Sequence, residues 1–152
     1  MTIRRKVKRT LAITSLAAIV CFLMAGSAVA AELEINQTAS DGKQAVFAVS
    51  VNNAPNEVAA FGFEVLYDSD VLRYKDYERG SLAQDAFSFF DVNEPASGQL
   101  RVGGMEVGAN KIQEGSSGTL VILTFEVVGR GKSEMKLAEL KDSLKTWTTR
   151  DE

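Results

Sequence analysis

After Ala30 the chain reads almost throughout as short apolar–polar alternations separated by turn signals. The clearest runs from Phe61 to Tyr74, FGFEVLYDSDVLRY. Phe61, Phe63, Val65 and Tyr67 alternate with Gly62, Glu64, Leu66 and Asp68, which gives a strand one apolar and one mixed face. Asp68-Ser69-Asp70 breaks that strand, and Val71-Leu72 resumes the apolar pattern at once. Asp and Ser side chains bond nearby backbone amides, so this break reads as a sharp corner. Tyr67 is placed to close the end of a core, with its hydroxyl near water or a backbone partner.

Other segments follow the same rule. Leu33 to Ile35 alternates and meets a turn at Ser40-Asp41-Gly42. Ala45 to Val51 is a half-buried strand by composition, and Leu72 to Tyr77 is another. Ser81 to Ala86 suits one helical turn capped by Ser81, and Phe87 to Val92 suits a strand. Leu100 and Val102 fit a core face, but Gly103-Gly104 suggests a bulge that would reverse the phase. Thr119 to Val128, TLVILTFEVV, reads as a central strand buried on much of both sides. Ser133 to Leu140 begins as a strand, but Glu139 breaks the alternation, which leaves a helix across Met135 to Leu144 open. Residues 142–152 read as a polar tail carrying Trp147. About nine short strands at even spacing point to an all-β sandwich or barrel in one domain.

The first 30 residues change the picture of where the chain works. Arg4, Arg5, Lys6, Lys8 and Arg9 precede an apolar run from Leu11 to Met24, and Ala28-Val29-Ala30 has the small-residue pattern of a cleavage site. A cleavable signal peptide over residues 1–30 is expected, with a secreted product that is extracellular or periplasmic and not held in a membrane. Cleavage removes the single cysteine, Cys21, so the domain must hold together without disulfides. It also removes five basic residues. That leaves 12 Lys and Arg against 20 Asp and Glu, a net charge near −8. An acidic surface argues against nucleic acid as a partner.

Little of the chain suggests catalysis. The sequence has no histidine, which removes histidine-based triads and most zinc sites. Asp68 and Asp70 sit at a turn and read as turn formers rather than as an acid–base pair. Asp91-Val92-Asn93 starts like a calcium loop, but Pro95 and Ala96 stand where the loop needs a ligand and a glycine. No cofactor or metal is expected on this chain, and a binding module is a better class than an enzyme.

The strand ending in Tyr67-Asp68 and followed by Val71-Leu72 resembles the third and fourth strands of cohesin domains. Val46 to Ala54, Glu78 to Leu82, Gly98 to Val102 and the run from Gly118-Thr119-Leu120 through Phe125-Glu126-Val127 are similar to further segments of that family. The likeness spans Leu33 to Leu140. Ser69 departs from it, since proline is common there, and so does the region of Ala48 and Ser50. The resemblance implies a nine-stranded jelly-roll β-sandwich over residues 31–141. It also implies a dockerin-bearing partner, such as a carbohydrate-active or surface protein, bound with calcium carried on the dockerin. The partner would dock on a sheet face built from the third, fifth, sixth and eighth strands. That face would display Ala60, Gly62, Glu64 and Leu66, with Arg101, Gly103 and Met105 beside them. Two other readings share the architecture. One is a carbohydrate-binding module stacking sugars on a row of Tyr74, Tyr77 and Phe90. The other is a structural or adhesive sandwich that self-associates through an edge strand.

Overall fold

The computed structural model describes residues 31–152; the expected signal peptide and Cys21 lie outside the described residues. Nine strands account for the architecture: β1 (Leu33–Ser40), β2 (Gln44–Val51), β3 (Ala60–Leu66), β4 (Leu72–Arg79), β5 (Phe89–Ala96), β6 (Gln99–Met105), β7 (Gly118–Val127), β8 (Lys136–Asp142) and β9 (Thr149–Arg150). They form a five-stranded sheet in the order β4-β7-β2-β1-β9 and a four-stranded sheet in the order β5-β6-β3-β8. Only β1–β2 and β5–β6 are consecutive strands within one sheet. Every other connection crosses between the sheets, the winding expected of a jelly roll.

Period-two alternation fills the space between the sheets. Phe61, Phe63 and Val65 of β3, Leu100 and Val102 of β6, and Val121, Leu123 and Phe125 of β7 are all buried. Phe125 lies at the centre, edge-on to Phe47 and Tyr67 at centroid distances of 5.7 and 5.0 Å. β7 does sit inside its sheet, between β4 and β2. Its outward residues Ile122 and Thr124 are only half-buried, so the second buried face expected from composition is not there. The β-branched run reflects a strand flanked on both edges rather than covered on both faces.

The Tyr67-Asp68 corner forms by the expected chemistry. The Asp70 amide donates to Asp68 Oδ1 at 2.9 Å, and the Val71 and Leu72 amides donate to the Asp68 carbonyl. Tyr67 is buried, and its hydroxyl donates to the Glu94 carboxylate instead of to water or backbone. Residues 81–86 make one turn, with the Gln84 amide on the Gly80 carbonyl at 3.1 Å. Ser81 does not cap it: its Oγ accepts from the Thr119 amide across the loop. The next strand starts two residues later than expected, because Phe87 takes φ 63° and redirects the chain.

Two boundaries move. The segment open to a helix is β8, and the broken alternation is a bulge. β3 advances two residues from Gly62 to Glu64 while β8 advances three, from Ala138 to Lys141, with Glu139 at φ 50° as the extra residue. The segment read as a polar tail belongs to the sandwich. Leu144 and Trp147 are buried, the Trp147 indole donates to Asn56 Oδ1 at 2.8 Å, and β9 pairs in parallel with β1. Glu152 exchanges both backbone hydrogen bonds with Met135. The last residues thus add β9 to the edge of one sheet beside β1 and tie it to the approach to β8, at the edge of the other.

Candidate partner-binding face

Register fixes what the outer face of the four-stranded sheet displays. β3 and β6 pair without a shift from Ala60↔Met105 to Leu66↔Gln99, so the Gly103-Gly104 pair carries no bulge and the phase is not reversed. Phe61, Phe63 and Val65 face inward with Leu100, Val102 and Gly104. Ala60, Gly62, Glu64, Leu66, Arg101, Gly103 and Met105 therefore share the outward side.

The outward residues form a grid of cross-strand rows. Phe89, Met105 and Ala60 make the first row. Asp91, Gly103, Gly62 and Lys141 make the second, one residue from each of β5, β6, β3 and β8. Asn93, Arg101, Glu64 and Ala138 make the third, and Gln99, Leu66 and Lys136 the fourth. Phe89 is 62% exposed, Met105 47% and Leu66 36%. A shallow depression of about 370 Å³ lies over the second row, with Phe89 and Met105 on one flank and Glu139 and Lys141 on another.

Glu64 behaves differently from its neighbours. It is 8% exposed although it points outward. Gln99 Nε2 donates to its Oε2 at 2.6 Å, and Arg101 Nε donates to its Oε1 at 3.1 Å. The Gln99 amide, then the Arg101 guanidinium, holds the Glu64 carboxyl below the usual carboxylate range. Its oxygens are already taken, so Glu64 positions Arg101 rather than offering itself to a partner. Across the face, Asn93 Nδ2 donates to Asp91 Oδ2 at 3.1 Å, which leaves the other Asp91 oxygen for a partner.

The glycines of the face are not alike. A Cβ on Gly104 would stand 2.5 Å from the Phe61 ring, so the fold requires that glycine. A Cβ on Gly103 would approach nothing closer than the Phe61 carbonyl oxygen at 3.5 Å, and one on Gly62 nothing closer than Lys141 Cβ at 3.7 Å. Neither residue has a positive φ. Glycine inside a strand is entropically unfavourable, by roughly 0.5–1 kcal/mol relative to alanine. Neither backbone conformation nor packing in the domain accounts for glycine at 62 and 103.

All seven residues expected on the face are brought together. Phe89, Asp91, Asn93, Gln99 and Lys141 were not foreseen. The alternation of Phe89, Asp91 and Asn93 against Phe90 and Val92 carried a usable signal for the β5 residues. Lys141 reaches the face only because the Glu139 bulge resets the phase of β8.

The proposed aromatic row is not a surface feature. A register shift between Tyr74 and Asp76 turns both Tyr74 and Tyr77 toward the core. Tyr77 stacks on Phe90 at 5.9 Å, and Phe90 is buried beneath the Arg79 guanidinium. Among the described residues, no group of three or more acidic, Cys or His side chains is arranged to hold a metal ion.

Comparison with known proteins agrees with this fold. A family model of the cohesin domain matches residues 29–146. A sequence search of curated proteins finds no match. Among solved structures, the sixth cohesin of Acetivibrio cellulolyticus scaffoldin B, in complex with a mutant Cel5 dockerin, is 18% identical with a TM-score of 0.63, over 81% of this chain and 96% of that one. The seventh ScaB type I cohesin of Pseudobacteroides cellulosolvens is 17% identical with a TM-score of 0.64, over 78% and 86%. A non-cellulosomal cohesin from the hyperthermophilic archaeon Archaeoglobus fulgidus is 22% identical with a TM-score of 0.58, over 80% and 88%.

Proposed function

Since the chain belongs to the cohesin family, we propose that it is a secreted, non-catalytic module that captures a dockerin-bearing protein on the outer face of β5-β6-β3-β8. One observation carries the reading. Exposed Phe89 and Met105 adjoin a floor of Ala60, Gly62 and Gly103, so apolar surface and close backbone approach coincide at one place. A contiguous apolar patch rimmed by polar groups marks an interaction surface, whereas apolar residues scattered singly do not. Gln99 and Glu64 fix Arg101 at the rim, where a fixed polar group gives direction to an otherwise apolar contact.

Calcium belongs to the partner in this reading, because a dockerin folds around its own calcium loops. Removal of residues 1–30 releases the module outside the cytoplasm, in the periplasm or beyond the cell. A carbohydrate-active enzyme is a suitable bearer of the dockerin. Direct polysaccharide binding lacks its aromatic row, since Tyr74, Tyr77 and Phe90 pack inward.

Calorimetric titration of residues 31–152 with dockerin modules of the source organism tests the proposal, with calcium and with a chelator in parallel. Saturable binding at micromolar concentration or tighter, lost with the chelator, is expected. Absence of binding by every dockerin in the presence of calcium would refute it.

A further inference from the structure

Of the asparagines in the chain, Asn36 alone stands two residues before a threonine or serine, with Gln37 between it and Thr38. That spacing is the acceptor signal for an N-linked glycan on an exported chain. Two structural features meet at the same place. The first is a free amide. Asn36 lies on β1, on the outer side of the five-stranded sheet, opposite the small side chain of Ala48. Its side chain makes no hydrogen bond among the described residues, whereas the amides of Asn52, Asn56 and Asn93 donate to the Ala31 carbonyl, the Ser143 carbonyl and the Asp91 carboxylate. The second is an unprotected edge. β9 pairs only with Leu33 and Glu34, so β1 is the sheet edge from Ile35 onward, and Gln37, Thr38, Ala39 and Ser40 are exposed. The other edge strands carry charge or proline, as at Lys75 of β4, Pro95 of β5 and Lys136 of β8. Residues 35–40 carry neither. Their one blunting device is a bulge at Thr38, and the Gln37 amide is covered only by Glu152 Oε2 at 3.3 Å.

We infer that Asn36 is an N-glycosylation site and that its glycan shields the uncharged edge of β1. The inference rests on the export proposed above and is independent of what the module binds. The co-reactant is an oligosaccharide carried on a polyprenyl phosphate or diphosphate. Nδ2 of Asn36 forms a bond to the anomeric carbon of the sugar. The bond from that carbon to the phosphate oxygen breaks, and the lipid phosphate leaves with the electron pair and takes up one proton from Nδ2. In the folded domain the Thr38 hydroxyl donates to the Val46 carbonyl at 3.2 Å. Transfer therefore takes place on the exported chain before β1 pairs with β2. A glycan on Asn36 stands over Ala48 and beside the open edge, where its bulk blocks another strand from adding to β1. It lies on the sheet opposite β5-β6-β3-β8 and leaves that sheet uncovered.

The test is the intact mass of the full chain expressed in and purified from its source organism, with fragmentation of the peptide that contains Asn36. A chain lacking residues 1–30 and heavier by whole sugar residues on Asn36 is expected. An N-glycan amidase should remove the increment and leave aspartate at position 36. Asn36→Gln and Thr38→Val should abolish the increment, and Thr38→Ser should keep it, with the melting temperature of Thr38→Ser as the check on folding. A mature chain of unmodified mass would overturn this inference and leave export standing, whereas an unmodified chain that retains residues 1–30 would overturn both. The shielding role has its own readout in sedimentation. The glycosylated module should stay monomeric, Asn36→Gln should associate as concentration rises, and Ala39→Lys added to Asn36→Gln should restore the monomer. An Asn36→Gln module that stays monomeric at every concentration would overturn the shielding.

Discussion

At the scale of single residues, adjacent glycines with opposite roles are the most direct check on the face. Gly104 lies under a Phe61 ring held by Phe63, Phe87 and Phe90 at centroid distances of 6.0, 4.9 and 5.7 Å. That ring has no room to move, so Gly104→Ala should cost about 1–3 kcal/mol in urea unfolding. Gly103→Ala, one residue away, should cost nothing and stabilise by up to about 1 kcal/mol. The sequence presents the two as an undifferentiated pair, because the atom that tells them apart belongs to β3, some forty positions earlier. Tyr67 and Tyr74 give a second residue-scale expectation. Burial, then the Glu94 carboxylate, pushes the Tyr67 hydroxyl up to about 12; burial, then Asp76, does the same for Tyr74. The unfolded chain loses these protons near 10.0 while the folded chain keeps them. Stability from these groups is thus complete below pH 10 and drains away as pH rises toward 12. Denaturant midpoints measured across that window should fall, and Tyr67→Phe should flatten part of the slope.

Elements were legible where alternation was regular and opaque where one residue upset it. β3 was legible because Phe61, Phe63 and Val65 mark one phase without interruption, although the strand stops at Leu66, one residue before the Tyr67-Asp68 end that the alternation suggests. β8 was not, because a bulge and the start of a helix break a period of two in the same way. Only the pairing partner decides between them, and that partner is β3. The bulge makes a measurable demand on Glu139, whose left-handed conformation carries a penalty of roughly 1–2 kcal/mol for a residue with a Cβ. Glu139→Gly should therefore raise stability by about 1 kcal/mol, read by thermal unfolding. Glu139→Pro, which cannot adopt that φ, should weaken the β3–β8 pairing and disturb Lys141 with it. The same logic governs β4. Its register shift turns Tyr77 inward with Tyr74, and nothing in the local sequence announces that Lys75 is the residue passed over.

For the whole molecule, the unexpected feature is how the chain ends. Residues 142–152 are polar enough to read as a tail because their partners lie far away in sequence: Trp147 meets Asn56, and Thr148 and Arg150 meet Glu32 and Glu34. Trp147→Ala should cost about 3–5 kcal/mol, and deletion after Lys141 should leave a module that does not fold on its own. Because Trp147 is the only tryptophan, its intrinsic fluorescence reports this seam directly, and its red shift should coincide with global unfolding. The parallel β1–β9 contact also decides how the domain resists a pull. Tension applied between Ala31 and Glu152 draws two parallel neighbours past each other. It loads the Leu33–Thr148 backbone bond, the Glu34–Arg150 ion pair and the Glu32–Thr148 bonds together rather than one after another. A module tethered at both ends in a flow would share its load in shear across this seam, and the four-stranded sheet, with only β8 near the seam, would keep its shape while the ends are under strain.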